Sequence, residues 1–151
     1  MVHPKVKIGE FCLIADDAVI GEGTVIKSYV EIRSGTVIGK DCYIDSGVKI
    51  SGQCTIGDRV TLRYNTIIAR GCNIGDDNYL APNCMTNNLD SGRESIGGAT
   101  TGNGCFFGTA TVLQHGITIA DGTVTGVQSF INKDITEPNG VYVGCPAKRV
   151  K

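Results

Sequence analysis

"IADDAVIGEGTVIKSYVEIRSGTVIGKDCYIDSGVKISGQCTIGDRV", residues 14–60, opens with isoleucine and carries isoleucine at every sixth residue after it. The same step extends in both directions, from Val2 and Ile8 to Leu62, Ile68, Ile74 and Leu80, and every position on it is Val, Ile or Leu. Six matches neither the three-and-four spacing of an apolar helix stripe nor the alternation of a long strand. It matches a short strand followed by a sharp corner, repeated along the chain. The fourth residue after each of these anchors is also restricted: Val6, Cys12, Ala18, Thr24, Val30, Thr36, Cys42, Val48, Cys54, Val60, Thr66 and Cys72 are all small or β-branched. In a strand, positions four and six share a face, so both point inward while the fifth points out. Three such sides close a triangle of about 18 residues. The Gly, Asp, Asn and Ser between them suit its corners.

Asn78 is the one slot residue that is neither small nor β-branched, and the rhythm breaks soon after it. "TNNLDSGRES" and the residues around it, about 86–100, interrupt the step, which resumes at Thr101, Phe107, Leu113, Ile119, Thr125 and Ile131. The expectation is a single β-helical domain over 1–151. It has about seven coils in 2–85 and 101–136, one inserted loop, and a tail over 137–151 that caps the last coil. Loops on rigid scaffolds often carry function.

The 151 residues include 21 Gly, no Trp, two His and seven Cys, with a net charge of -1. Near-neutral charge gives no electrostatic reason to expect nucleic acid. No apolar run is long enough for a membrane helix. The opening MVHPKVKIGE lacks the apolar core and cleavage site of a secretory signal, so a cytoplasmic location is expected. Six cysteines, Cys12, Cys42, Cys54, Cys72, Cys84 and Cys105, occupy the small inward slot, which reads as buried free thiols packed as small apolar groups. No CxxC pair or His/Cys cluster suggests a metal, and none is expected.

The hexads "IGEGTV", "IGKDCY" and "IGDRVT" resemble those of the hexapeptide-repeat acyltransferases. Three further stretches are similar to sugar O- and N-acetyltransferases of that group: "YNTII" followed by "IGDDNYLAPNCMT", then "INKDI", then "VGCPAKRVK". The resemblance implies an all-β, left-handed parallel β-helix. It also implies acetyl-CoA as donor, a sugar acceptor, and a homotrimer with active sites between subunits. Carried over by position, Asn65 faces the acceptor. Thr109, Val127, Asn132 and Lys133 contact acetyl-CoA, and Lys148 and Lys151 supply cations for its phosphates. Arginines of some relatives are lysine here, and Cys145 replaces their valine before Pro146.

A sugar hydroxyl needs a base to remove its proton. The O-acetyltransferases carry a histidine for this in the inserted loop, and this loop has none. His115, in the corner "LQHGIT", is the remaining candidate base, His3 being in the first hexad. The missing loop histidine points toward an amine acceptor, probed from the loop by Asp90 and Arg93. The leading expectation is acetyl transfer to an amino or hydroxyl group of a nucleotide-linked sugar. The alternative is a non-catalytic β-helical scaffold. A zinc-dependent carbonic anhydrase of this fold needs three histidines, and the chain has two. Outward Leu13, Ile67 and Met85 should share one face, and Val25, Tyr43 and Tyr79 another, as subunit contacts.

Overall fold

In the computed structural model, which describes residues 1–151, each hexad forms a two-residue strand and a corner. There is no helix, and so none long and apolar enough to cross a membrane. Strands pair in parallel with the coil before and after, in three sheets. The first face stacks Lys7–Ile8, Val25–Ile26, Tyr43–Ile44, Thr61–Leu62, Tyr79–Leu80, Phe106–Phe107 and Val124–Thr125. The second stacks Leu13–Ile14, Glu31–Ile32, Lys49–Ile50, Ile67–Ile68, Met85–Thr86, Val112–Leu113 and Phe130–Ile131. The third runs from Val19–Ile20 to Thr118–Ile119. Outward Leu13, Ile67 and Met85 therefore do share a face, and so do Val25, Tyr43 and Tyr79.

The coils number about eight rather than seven. The extra turn comes from the ends. Val2 bridges to Ile20 and Ile135 to Ile119, each extending the third face. Val141–Gly144 leaves the hexad rhythm yet pairs in parallel with Val124–Thr125, extending the first. It then turns back antiparallel as Ala147–Arg149, making a hairpin over the last coil.

Anchors from Ile20 to Ile131 are at most 4 % exposed, and burying each isoleucine contributes about 1.5–3 kcal/mol. Ile8 departs from this at 46 % exposure because no coil lies beneath it. The slot residues do more than fill space. Thr24 Oγ1 donates to the Gly39 carbonyl at 2.9 Å, Cys42 Sγ to Gly57 O at 3.1 Å and Cys54 Sγ to Ala69 O at 3.1 Å. Threonine and cysteine recur there because each is small and brings a donor for a corner carbonyl of the next coil. Asn78 meets the same need where the coil rejoins after the loop. Its amide donates to Gly75 O, Thr101 Oγ1 and Gly102 O, and its Oδ1 accepts from Cys105 N at 2.6 Å.

The corners between the third and first faces explain the recurring Ile-Gly-Asp. Asp58 Oδ1 accepts the Lys40 N–H at 2.7 Å, Asp76 Oδ1 that of Asp58 at 2.8 Å, and Asn103 Oδ1 that of Asp76 at 2.8 Å. Each carboxylate or amide thus satisfies a corner donor that the strands leave unpaired. Glycine below makes room: a Cβ on Gly57 would lie 2.2 Å from Asp76 Oδ1 and 2.8 Å from Asp76 N.

Gly57→Ala should therefore destabilise the fold by about 1–3 kcal/mol, the usual penalty of overpacking, read from urea midpoints. Unchanged midpoints would remove the ladder from this account.

Burial also raises the thiol pKa of Cys42, Cys54, Cys72 and Cys105 above the ordinary value near 9, and that of Cys84 to about 11. A folded thiol that holds its proton longer than an unfolded one stabilises the fold fully below pH 9. That contribution is lost as pH rises through about 11. Thermal midpoints should fall over this window, less steeply in Cys84→Ala than in wild type.

Candidate active site

Corners stack into three edges, and the candidate residues divide among them. Asn65 lies on the edge between the first and second faces, in the left-handed region at φ +60°. Its N–H donates to Ser46 O at 3.2 Å, and its Oδ1 fills the space above Gly47, where a Cβ would stand 2.2 Å away. Thr109 and Val127 occupy the same edge two and three coils further on. The backbone links the levels, Asn83 N to Tyr64 O at 2.9 Å, Ala110 N to Pro82 O at 3.0 Å and Gln128 N to Thr109 O at 2.8 Å. Val127 is 68 % exposed, an apolar residue open to a ligand or a second chain.

Sequence reasoning missed what holds Asn65 in position. Asp45 is a buried carboxylate whose Oδ2 accepts from Arg63 Nε at 3.0 Å, while Arg63 Nη1 donates to the Tyr79 hydroxyl at 2.8 Å. The guanidinium also lies 5.4 Å from the Tyr64 ring centre. The Tyr79 hydroxyl and then Asp45 push the Arg63 pKa further up, so the guanidinium stays charged. The signal was available: Asp45 and Arg63 are opposite charges 18 residues apart, hence stacked.

His115 lies on the edge between the second and third faces, where the insertion leaves the solenoid. Across the insertion, strand partners are 27 residues apart instead of 18. Its feet are pinned by Asn87 N to Leu113 O at 3.0 Å and by Thr100 N to Ile117 O at 2.8 Å. The returning leg lies over the histidine corner, with Gly116 N donating to Gly97 O at 3.1 Å. His115 is consequently half-buried. Its Nδ1 is closed off from solvent without a hydrogen-bond partner, leaving Nε2 as the nitrogen that meets the surface.

At the insertion tip, Leu89 bridges Ser95, and Asp90 Oδ1 accepts from Gly92 N at 2.9 Å and Glu94 N at 3.0 Å. One Asp90 oxygen is therefore spent on shaping the tip. Arg93 is exposed there and has no carboxylate partner.

Asn132 and Lys133 continue the histidine edge one coil on. With Tyr142 and Ala147 of the hairpin they line a small cavity of about 170 Å³. Lys148 and Lys151 project from the same hairpin, both exposed. Arg149 between them is engaged by Glu137 and by the Lys151 carbonyl. The structure thus brings Asn132 and Lys133 to one cavity with the hairpin, while Lys148 and Lys151 stand exposed on the hairpin and its end, outside that lining and without a carboxylate partner. Asn65 and His115 are not gathered: one face, on the order of 13 Å wide, separates their edges. No group of three or more His, Cys, Asp or Glu side chains is arranged to hold a metal.

Residues 35–70 match the model of the bacterial transferase hexapeptide family, described as six repeats. Those residues therefore carry the repeat of that family. Over 64 residues the chain is 33 % identical to a chloramphenicol acetyltransferase of Agrobacterium fabrum, covering 42 % of itself and 30 % of that protein. Among solved structures it is similar to WeeI from Acinetobacter baumannii AYE, with TM-score 0.66 and 19 % identity over 91 % of this chain and 57 % of that one. It is also similar to AntD, an N-acyltransferase from Bacillus cereus in complex with dTDP and coenzyme A. There the TM-score is 0.62 and the identity 16 %, over 96 % and 83 % of the two chains. The chain spans less than a third of the curated relatives it matches, and 57 % of the acetyltransferase domain of PglB from Neisseria gonorrhoeae. At these identities the solved structures share its fold.

Asp45→Ala should lower the thermal midpoint by several degrees, since it strips Arg63 of its buried partner and loosens the Asn65 corner. A midpoint equal to wild type would detach Asn65 from this network.

Proposed function

We propose that the protein transfers an acetyl group from acetyl-CoA to a nucleotide-linked sugar, with an amino group favoured over a hydroxyl. The observation that carries this reading is the His115 imidazole beside the insertion's returning leg, Nε2 open and Nδ1 without a partner. A base is thereby available at the loop although the loop sequence lacks one. No carboxylate is bonded to its Nδ1 to hold the ring and steady the imidazolium that forms. An imidazole so placed suffices for an amine, which needs only to lose a proton as it attacks, and is poor for generating an alkoxide.

In the reaction, the acceptor nitrogen forms a bond to the thioester carbonyl carbon while its proton passes to Nε2. Collapse of the tetrahedral intermediate breaks the C–S bond, and the CoA thiolate takes a proton as it leaves. A backbone N–H of the corner stabilises the oxyanion, and Asn65 orients the acceptor through its amide. Because Asn65 and His115 occupy different edges, the site is completed in a homotrimer, one copy's Asn65 edge standing against the next copy's His115 edge. Asn132, Lys133, Lys148 and Lys151 hold the CoA phosphates, with Thr109 and Val127 along its pantetheine arm. The name of AntD, an N-acyltransferase complexed with dTDP and coenzyme A, agrees with this assignment.

Thermal unfolding with and without millimolar acetyl-CoA tests it. A ligand at a hundred times its Kd contributes about 2.7 kcal/mol of stability. The wild-type midpoint should rise clearly, and less in Lys148→Ala/Lys151→Ala. His115→Ala should retain the shift while thiol release with amino-sugar acceptors falls at least about a hundredfold. No shift in a folded wild type would favour the scaffold reading instead.

A further inference from the structure

Below the insertion, Arg33 and Arg70 of the histidine edge and Lys49 of the second face beside it line a groove of about 470 Å³ that also includes Ser34, Ser51 and a single carboxylate, Glu31. Only one apolar residue, Ile50, lines it. Four of the six arginines are ion-paired: Arg33 of the groove with Glu31, Arg59 with Asp77, Arg63 with Asp45, and Arg149 with Glu137. Arg70 is not. Asp17, one coil below, takes the Ser34 hydroxyl at 2.7 Å. Lys49 donates to the Tyr29 carbonyl at 2.9 Å, and Arg70 donates through Nε to Gln53 Oε1 at 3.1 Å. Neither has a carboxylate within ion-pair distance, and both terminal guanidinium nitrogens of Arg70 are unpartnered.

We infer that this groove binds a diphosphate. Net of Glu31 the groove carries two positive charges, on coils about 4.8 Å apart, and so matches an anion with two charged centres better than a single carboxylate. Arginine adds the forked donor geometry that phosphate oxygens accept. The groove and the proposed centre lie along the same edge of the solenoid. Gln53 N bonds Ser34 O at 2.9 Å, Gly71 N bonds Gly52 O at 3.2 Å, and Gly116 N bonds Gly97 O at 3.1 Å along the one edge. Arg70 stands two coils, about 10 Å, below His115, the separation of a reacting sugar substituent from the diphosphate that carries the sugar. The choice of ligand rests on the acyl-transfer reading, which places the coenzyme A phosphates at the C-terminal end and so leaves this groove to a nucleoside diphosphate on the acceptor; coenzyme A is the other source of diphosphate that the test separates.

Calorimetric titration of the full chain with inorganic pyrophosphate, a nucleoside diphosphate and acetyl-CoA tests the groove and separates the sources. The proteins are wild type, Lys49→Ala/Arg70→Ala, and Arg59→Ala, which removes one charge from a different edge. Pyrophosphate affinity should weaken at least about tenfold in the double variant, the loss expected for charged hydrogen bonds, and stay unchanged in Arg59→Ala. An equal loss for the nucleoside diphosphate, with acetyl-CoA unaffected, assigns the groove to the acceptor; the reverse assigns it to the donor. Equal affinities of the folded wild type and double variant for all three ligands, or no binding of any, overturn the inference. Pyrophosphate binding lost in the double variant beside a wild type blind to acetyl-CoA would keep the groove and remove the acyl-transfer reading.

Discussion

Everything in this molecule depends on coil-to-coil register. Outside the insertion and the C-terminal end, each residue rests on the one 18 positions earlier, so its neighbours are settled by arithmetic along the chain. A strand of two residues cannot hold itself; it persists because the coils on either side hydrogen-bond to both of its edges. The same register makes the corners work, since an aspartate can satisfy the N–H beneath it only if a glycine is waiting at the right level. Aliphatic anchors, donor-bearing slots and corner glycines are three expressions of one constraint.

That constraint is why so much of the fold is legible in the sequence. The isoleucines from Ile14 to Ile56 disclose strand, corner and inward face together, and the break after Leu80 locates the insertion. What was less legible has definite physical causes. Cysteine and threonine look interchangeable as small residues, and only the structure reveals that both supply a donor to a corner carbonyl. Asn78 breaks the pattern because the coil that follows brings Thr101 where an aliphatic anchor would be, and the amide replaces apolar contact with hydrogen bonds. The further turn is hidden because Val141–Gly144 joins the first face without obeying the hexad.

The candidate site is less legible than the fold because a period says which residues stack and nothing about which edges meet. Asn65 and His115 each have a local environment that fits chemistry, yet one chain keeps them apart. His115 itself could be singled out from composition, being one of two histidines. Its shielded Nδ1 follows from the insertion's returning leg, whose path no periodicity describes. The Asp45–Arg63 pair was open to sequence reasoning, since stacking makes charges 18 residues apart into neighbours; Arg33, Lys49 and Arg70 fall off that register, and their groove shows only in the fold.

The insertion has a consequence of its own. Its feet are fastened to the coil above by backbone bonds at Asn87 and Thr100, and the strands on either side pair as though the intervening residues were missing. Length and composition between the feet are thus uncoupled from the stability of the solenoid. Such a segment behaves as an exchangeable cassette, free to diverge in sequence while the frame stays as it is. A lineage of such chains can vary its loop without rebuilding the solenoid.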